Sequence, residues 1–128
     1  MPKILIVDDD LLMIKMYTRI FTHEGFTALT AQNGPDGLNK ARTESPDLIL
    51  LDVMMPKMNG LEVLSELKKS NDTKAIPVIM LTNLAGQQDA ENALERGAMK
   101  YVIKSEHEPK EVSKIVRDAL AHIKTHKS

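Results

Sequence analysis

Apolar and polar positions fall into blocks along this chain. Short, almost wholly apolar runs recur: ILIV (4–7), LILL (48–51), IPVIML (76–81) and YVI (101–103), with a weaker one, TALTA (27–31), between the first two. Runs this short and apolar on both faces predict buried strands of a parallel sheet. The segments between them carry helical spacing. In 11–24, Ile14, Tyr17, Ile20 and Phe21 share one face. Segment 35–44 opens with Pro35 and Asp36, which suit a first helical turn. In 60–69, Leu61, Leu64 and Leu67 recur and Lys68–Lys69 closes the helix. In 87–96, Ala90, Ala93 and Leu94 form a stripe followed by Gly97, a good residue just past a helix end. In 110–124, Val112, Ile115, Val116, Ala119, Leu120 and Ile123 form a longer one. Five repeats of strand then helix predict an α/β, doubly wound five-stranded parallel sheet with five helices and right-handed crossovers.

Composition narrows the class. The chain has 128 residues, room for one domain with its own core, and no cysteine, which removes disulfides, thiolate zinc sites and cysteine nucleophiles. Seventeen basic and eighteen acidic residues leave a net charge of −1, so the overall balance favours neither nucleic acid nor an anionic membrane. The apolar runs are too short to span a bilayer, and Ile4–Val7 with its following aspartates does not make a signal peptide. A soluble, cytoplasmic protein without membrane insertion is expected. The tail KTHKS is expected to fray beyond Ile123.

Candidate chemistry follows from the topology, because open α/β sheets bind ligands at the carboxyl ends of their strands. Asp8, Asp9 and Asp10 follow the first run, Asp52 the third, Thr82 the fourth and Lys104 the fifth. Singly, each has an ordinary explanation as a turn, cap or surface residue, and Asp10 is assigned as the N-cap of the first helix. Jointly they bring carboxylates, a hydroxyl and an ammonium to one rim. The first and third strands are expected to be neighbours about 5 Å apart, which crowds Asp8, Asp9 and Asp52. Without a cation, at least one of these carboxyls would be pushed toward protonation. A hard ion such as Mg²⁺ relieves this and keeps positions open for phosphate oxygens. Asp52, central in the cluster, is the natural nucleophile, able to carry a phosphoryl group as an acyl phosphate. Lys104 and Thr82 can meet the phosphoryl oxygens.

These motifs, IVDDD, LLDVMMPKMNG, MLT and YVIK in that order, resemble the receiver domain of two-component response regulators, of the single-domain, chemotaxis-regulator-like kind, over essentially the whole chain. The resemblance implies the flavodoxin-like strand order 2-1-3-4-5. It implies residues 1–124 as one receiver domain, 125–128 as a short tail, and no effector domain. It implies that Asp52 accepts a phosphoryl group from a phosphohistidine on a sensor histidine kinase or histidine phosphotransfer protein. Asp9, Asp52 and the Met54 carbonyl would ligate Mg²⁺, with Asp8 assisting, usually through water. Thr82 and Lys104 would contact the phosphoryl group, and Tyr101 would be the switch aromatic that turns inward as Thr82 moves. Such a receiver catalyses only its own phosphorylation and dephosphorylation. Its output would run through the face of the fourth helix, fifth strand and fifth helix, to a downstream protein or a second copy, without direct nucleic-acid contact. The alternatives are a relay intermediate that passes the group on, and a pseudo-receiver that only binds protein.

Two positions depart from the family pattern. Ser105 stands where proline usually follows the lysine, and the Lys104–Ser105 peptide is nevertheless expected cis, so that Lys104 points inward. Asn83 stands where alanine or glycine is common, narrowing access to Asp52. Other classes fit less well. A haloacid-dehalogenase-type phosphatase needs a second aspartate at the position of Met54. An FMN site would be repelled by three aspartates in its phosphate loop, and no glycine-rich nucleotide loop is present.

Overall fold

The computed structural model describes residues 2–126. Eleven elements follow in order: β1 (Lys3–Val7), α1 (Leu11–His23), β2 (Thr27–Ala31), α2 (Gly34–Glu44), β3 (Leu48–Leu51), α3 (Gly60–Lys69), β4 (Val78–Thr82), α4 (Gln87–Glu95), β5 (Lys100–Ile103), a single 3₁₀ turn (Lys104–Glu106) and α5 (Pro109–His126). The five strands form one parallel sheet in the order β2-β1-β3-β4-β5. β1 and β3 pair directly, Val7 opposite Leu51, so the residues that follow each strand emerge side by side.

The apolar runs make the sheet because both of its faces are covered. Ile4, Ile6, Leu48, Leu50, Ile79 and Leu81 point into a cluster with Ile14, Tyr17 and Phe21 of α1 and Val112, Val116 and Ala119 of α5. Leu5, Val7, Ile49, Leu51, Val78 and Met80 point the other way, onto Ala41 of α2, Val63, Leu64 and Leu67 of α3, and Ala93 of α4. The alternation within each strand thus sends successive residues into two different cores. Phe21 is fully buried among Tyr17 and Phe26, its ring centroid 6.2 Å and 5.9 Å from theirs. Phe21→Ala is expected to lower stability by about 3–5 kcal/mol, checked by urea unfolding. A loss under 1 kcal/mol would show that this cluster does not anchor α1.

Local chemistry sets the ends. The Asp10 side chain accepts hydrogen bonds from the Leu12 and Met13 amides at 3.0 and 3.4 Å, as expected of an N-cap. Gly97, at φ 108°, supplies the left-handed turn after α4. Lys68 does more than answer the α3 dipole: its ammonium donates to the Lys74 and Ile76 carbonyls and staples the α3–β4 loop, and burial pulls its pKa down. β4 begins at Val78 rather than Ile76, since Pro77 has no amide proton to give the ladder, and it includes Thr82 as its last residue. α5 runs to His126, two residues past the expected boundary of the tail, and the rest of that tail lies outside the described residues. No helix among the described residues is long and apolar enough to cross a membrane.

Candidate functional site

The three consecutive aspartates after β1 divide the work. Asp8 is buried; one oxygen accepts the Asp10 amide at 2.9 Å and the other the Lys104 ammonium at 2.5 Å. Asp9 is exposed, and Asp10 caps α1. Across the β1–β3 pair, the Asp52 amide donates to the Val7 carbonyl at 3.0 Å, which carries the sheet ladder one residue past β3. This holds Asp52 beside Asp8, with only 7% of its surface exposed. Asp8, Asp9 and Asp52 each offer a carboxylate oxygen within 4.8 Å of the others, a donor set that could hold a metal ion.

Lys104 arrives from the far side of β4. Its ammonium, 2.5 Å from Asp8 and 3.4 Å from Asp52, bridges the two buried carboxylates with a side chain only 8% exposed. Burial opposes its charge, but the Asp8 and Asp52 carboxylates outweigh that and hold its pKa above the ordinary lysine value. Asp52 goes the opposite way for its type. Desolvation raises its pKa; Lys104 pulls it down, Asp8 pushes it up, and hydrogen bonds from Thr82 and the Met54 amide oppose the rise without cancelling it. A carboxyl held above its usual range by burial, beside a second carboxylate, gains from an added cation.

The Lys104–Ser105 peptide, expected cis, is trans, as are all peptide bonds in the described residues. With serine at 105 the cis form would cost about 3 kcal/mol. The 3₁₀ turn starting at Lys104 makes it unnecessary, since the trans chain already delivers the ammonium to both carboxylates. Asn83 is exposed.

Thr82 is fully buried at the end of β4, and its hydroxyl accepts the Leu84 amide at 3.2 Å. The Leu84 carbonyl in turn accepts the Tyr101 hydroxyl at 2.5 Å. Tyr101 is half-buried, packs against the α2–α4 side of the core and is already docked on the β4–α4 loop. Burial raises its pKa, helped by the negative charges of Asp89 and Asp52. Met54, by contrast, leaves its side chain 62% exposed, and its amide donates to Asp52 at 3.3 Å.

One residue in the quoted motifs received no role from sequence reasoning. Gly60 opens α3 under an Asn59–Glu62 capping box, and its amide donates to the Val53 carbonyl at 2.8 Å. A Cβ there would lie 2.0 Å from the Asp52 carbonyl oxygen, so the backbone of Asp52 can sit where it does only against glycine. The signal was present in the Asn-Gly pair before an apolar helix, but the clash is visible only in three dimensions. Gly60→Ala is expected to shift Asp52 and to cost about 1–3 kcal/mol. Amide shifts confined to 58–64, with Asp52 and Val53 unmoved, would overturn this. Tyr17 also escaped notice as a neighbour of the site: it is buried beneath it, its pKa raised by desolvation, with the Lys104 charge opposing and that of Asp8 adding to the rise.

Comparison with known proteins agrees with this geometry. A family model described as the response regulator receiver domain matches residues 4–117. The chain is 38% identical to Protein PilH of Pseudomonas aeruginosa, over 81% of this chain and 86% of that protein. It is 42% identical to the probable transcriptional regulator ycf27 of Pyropia yezoensis, over 92% of this chain but 47% of that protein. The chain spans about half the length of the curated regulators of that kind. Among solved structures, a CheY-like response regulator receiver domain protein from Methanospirillum hungatei superposes with a TM-score of 0.91, at 28% identity over 98% of both chains.

Proposed function

The chain belongs to the response regulator receiver family of two-component systems, and from that premise we propose that it accepts a phosphoryl group on Asp52, in a Mg²⁺-dependent reaction, and thereby changes its protein contacts. The donor is a phosphohistidine of a sensor histidine kinase or histidine phosphotransfer protein, met in the cytoplasm. The observation that carries this reading is the Lys104 ammonium bridging buried Asp8 and Asp52, with the oxygens of Asp9 close by. A merely structural ion pair needs one carboxylate for one ammonium; three acidic groups around one lysine leave room for another cation.

The residues fit the ion. Asp8, Asp9 and Asp52 offer oxygens alone, the donors Mg²⁺ prefers, and the Met54 carbonyl is the fourth candidate. Bound there, Mg²⁺ would supply positive charge for the phosphoryl oxygens and for the crowded carboxylates. The chain does the rest. An ionised Asp52 oxygen attacks phosphorus in line, and the phosphorus–nitrogen bond breaks with its electron pair returning to the imidazole. Lys104 keeps one hydrogen bond to Asp8 while its remaining protons turn from Asp52 to a phosphoryl oxygen. Thr82, which donates to Asp52 while accepting from the Leu84 amide, turns its proton to another phosphoryl oxygen.

That exchange transmits the signal. Thr82, Leu84 and Tyr101 are joined by two consecutive hydrogen bonds, so movement of Thr82 toward Asp52 disturbs the Leu84 contact that docks Tyr101. A bias of about 3 kcal/mol is enough to turn a minor state of roughly 1% into the main one. The responding face is α4, β5 and α5, where Leu94 of α4 is 49% exposed. Its partner is a downstream protein or a second copy of this chain, without direct nucleic-acid contact. Tyr101→Ala is expected to leave phosphorylation within about twofold of the parent and to weaken phosphate-dependent binding about tenfold or more. Unchanged binding would return Tyr101 to a packing role.

The deciding experiment incubates the chain with a small phosphodonor and Mg²⁺, traps the product with borohydride and locates it by mass spectrometry. One phosphoryl group on Asp52 is the expected result. Label on serine, threonine or histidine overturns the mechanism, and no label at all leaves a protein-binding module of the same fold.

A further inference from the structure

We infer that Asn33, at the start of α2, is a site of spontaneous modification, where the side-chain amide is lost as ammonia and the residue becomes isoaspartate or aspartate. The chain has two Asn-Gly pairs, Asn33–Gly34 and Asn59–Gly60, and in each the asparagine is the N-cap of a helix. Asparagine before glycine is the pair most open to this reaction. The next backbone nitrogen attacks the side-chain amide, and glycine has no side chain to hinder it. The fold treats the two pairs differently.

At Asn59 the attacking group is tied down. The Gly60 amide donates to the Val53 carbonyl at 2.8 Å, and the capping box holds Asn59 from both sides through Glu62. At Asn33 the Gly34 amide, one of the orphan donors of a helix start, has no hydrogen-bond partner among the described residues. The side chain it would attack is prepared: the Asn33 Oδ1 accepts the Asp36 amide at 2.9 Å, a donor that steadies this oxygen as it becomes negative. Both asparagines have extended backbones, with ψ 170° and 165°, so attack requires the first helical turn to loosen. The first turn of α2 contains two glycines, Gly34 and Gly37, which weaken it, whereas that of α3 contains one beneath its capping box. An open pocket of about 320 Å³, lined by Asn33, Asp36, Asn39 and Lys40 among others, admits the water that completes the reaction.

The bonds balance without a further reagent. Hydroxide removes the Gly34 amide proton, the nitrogen bonds to Asn33 Cγ, and the Cγ–Nδ2 bond breaks, Nδ2 taking a proton from water and leaving as ammonia. Water then opens the cyclic imide at either carbonyl. Isoaspartate lengthens the main chain by one carbon just before Gly34. That stretch has no slack: a Cβ on Gly34 would lie 2.8 Å from Val63 Cγ2 and 2.9 Å from Met58 Cβ, so the main chain lies against α3 and the loop that leads to it from Asp52. The new carboxyl group also replaces the Nδ2 that donates to the Asp36 carboxylate at 3.1 Å, setting like charges in one turn.

The test ages the full chain in mildly alkaline buffer, folded and in urea, and maps the products by mass spectrometry, with isoaspartyl methyltransferase labelling to tell isoaspartate from aspartate. In the folded chain Asn33 is expected to convert at least about tenfold faster than Asn59, the difference that one retained amide hydrogen bond and a firmer first turn supply. In urea the two should agree within about twofold, since each is then an unrestrained Asn-Gly pair. Asn33→Ser keeps an N-cap and forms no imide. The Met58 and Val63 amides should therefore shift in NMR spectra of the aged parent and stay in place in the aged variant. If Asp52 is the phosphoacceptor proposed above, the aged parent should also be labelled there about threefold more slowly or worse; the mass and NMR results do not depend on that reading. Three outcomes would overturn the inference: Asn59 converting as fast as Asn33 in the folded chain, Asn33 converting there no faster than Asn39, Asn71, Asn83 and Asn92, or the same amide shifts in aged Asn33→Ser.

Discussion

Lys104→Met is expected to destabilise the protein by about 3 kcal/mol at neutral pH, although methionine fills much the same volume. The reason is electrostatic. Asp8 and Asp52 are both buried, at 3% and 7% exposure, and the lysine ammonium bridges them. Removing it leaves two desolvated carboxylates facing each other and takes away the main influence that pulls the Asp52 pKa down. The Asp52 pKa then rises further, the folded state binds more protons than the unfolded one, and stability falls as pH rises through that raised folded value. The loss should therefore be full at pH 7 and shrink on acidification through the carboxylate range. Lys104's own raised pKa adds stability that is lost only in the alkaline range, so the parent does not confuse this window. Urea unfolding followed by far-ultraviolet circular dichroism at pH 7 and pH 4.5 reads the difference, the chain having no tryptophan. A loss independent of pH would assign Lys104 to packing alone. Millimolar Mg²⁺ should restore part of the loss by giving the carboxylates their missing charge.

Asp52→Asn is expected to abolish covalent phosphorylation and, without divalent cations, to make the protein more stable at pH 7. The two effects have one origin. A carboxylate kept at a buried, acid-lined position is a good nucleophile and a poor structural choice. Its pKa is raised, so its contribution to stability is present below the unfolded carboxylate pKa and is lost as pH rises through the folded value. Asparagine does not titrate. The gain should therefore be absent in acid and grow toward neutrality. Mg²⁺ should reverse the order. At ten times its dissociation constant it stabilises the parent by about 1.4 kcal/mol, or roughly 4 °C in Tm, and leaves the variant nearly unmoved. Label that persists in Asp52→Asn, or an equal Mg²⁺ shift in both proteins, would remove Asp52 from the centre of the site.

Much of this is legible in the sequence. ILIV, LILL and the VIML portion of the fourth run are apolar on both faces, which only a sheet covered by helices on both sides can accommodate. Once the sheet is doubly wound, Asp8, Asp9, Asp52, Thr82 and Lys104 must emerge at one rim. Asp10 could be assigned as a cap because capping depends on a side chain and amides two or three residues on. Even weak TALTA was correctly a strand. It is an edge strand, and its half-buried, threonine-containing pattern is what an edge permits.

The remainder depended on distances no local pattern contains. The trans Lys104–Ser105 peptide follows from a 3₁₀ turn whose ammonium meets carboxylates 96 and 52 residues away. The need for glycine at 60 comes from the Asp52 backbone, which reaches it only after the β3–α3 loop has turned back. Tyr101 docks on the Leu84 carbonyl, 17 residues back in the chain. The sequence by itself determined which residues are buried, which segments are strand or helix and which groups share the rim, because hydrophobic periodicity and capping act over a few residues. Tertiary structure alone decided how Asp8 and Asp9 divide their roles, which bonds Lys104 makes and where the backbone tolerates no side chain, because those depend on tenths of an ångström between segments far apart along the chain.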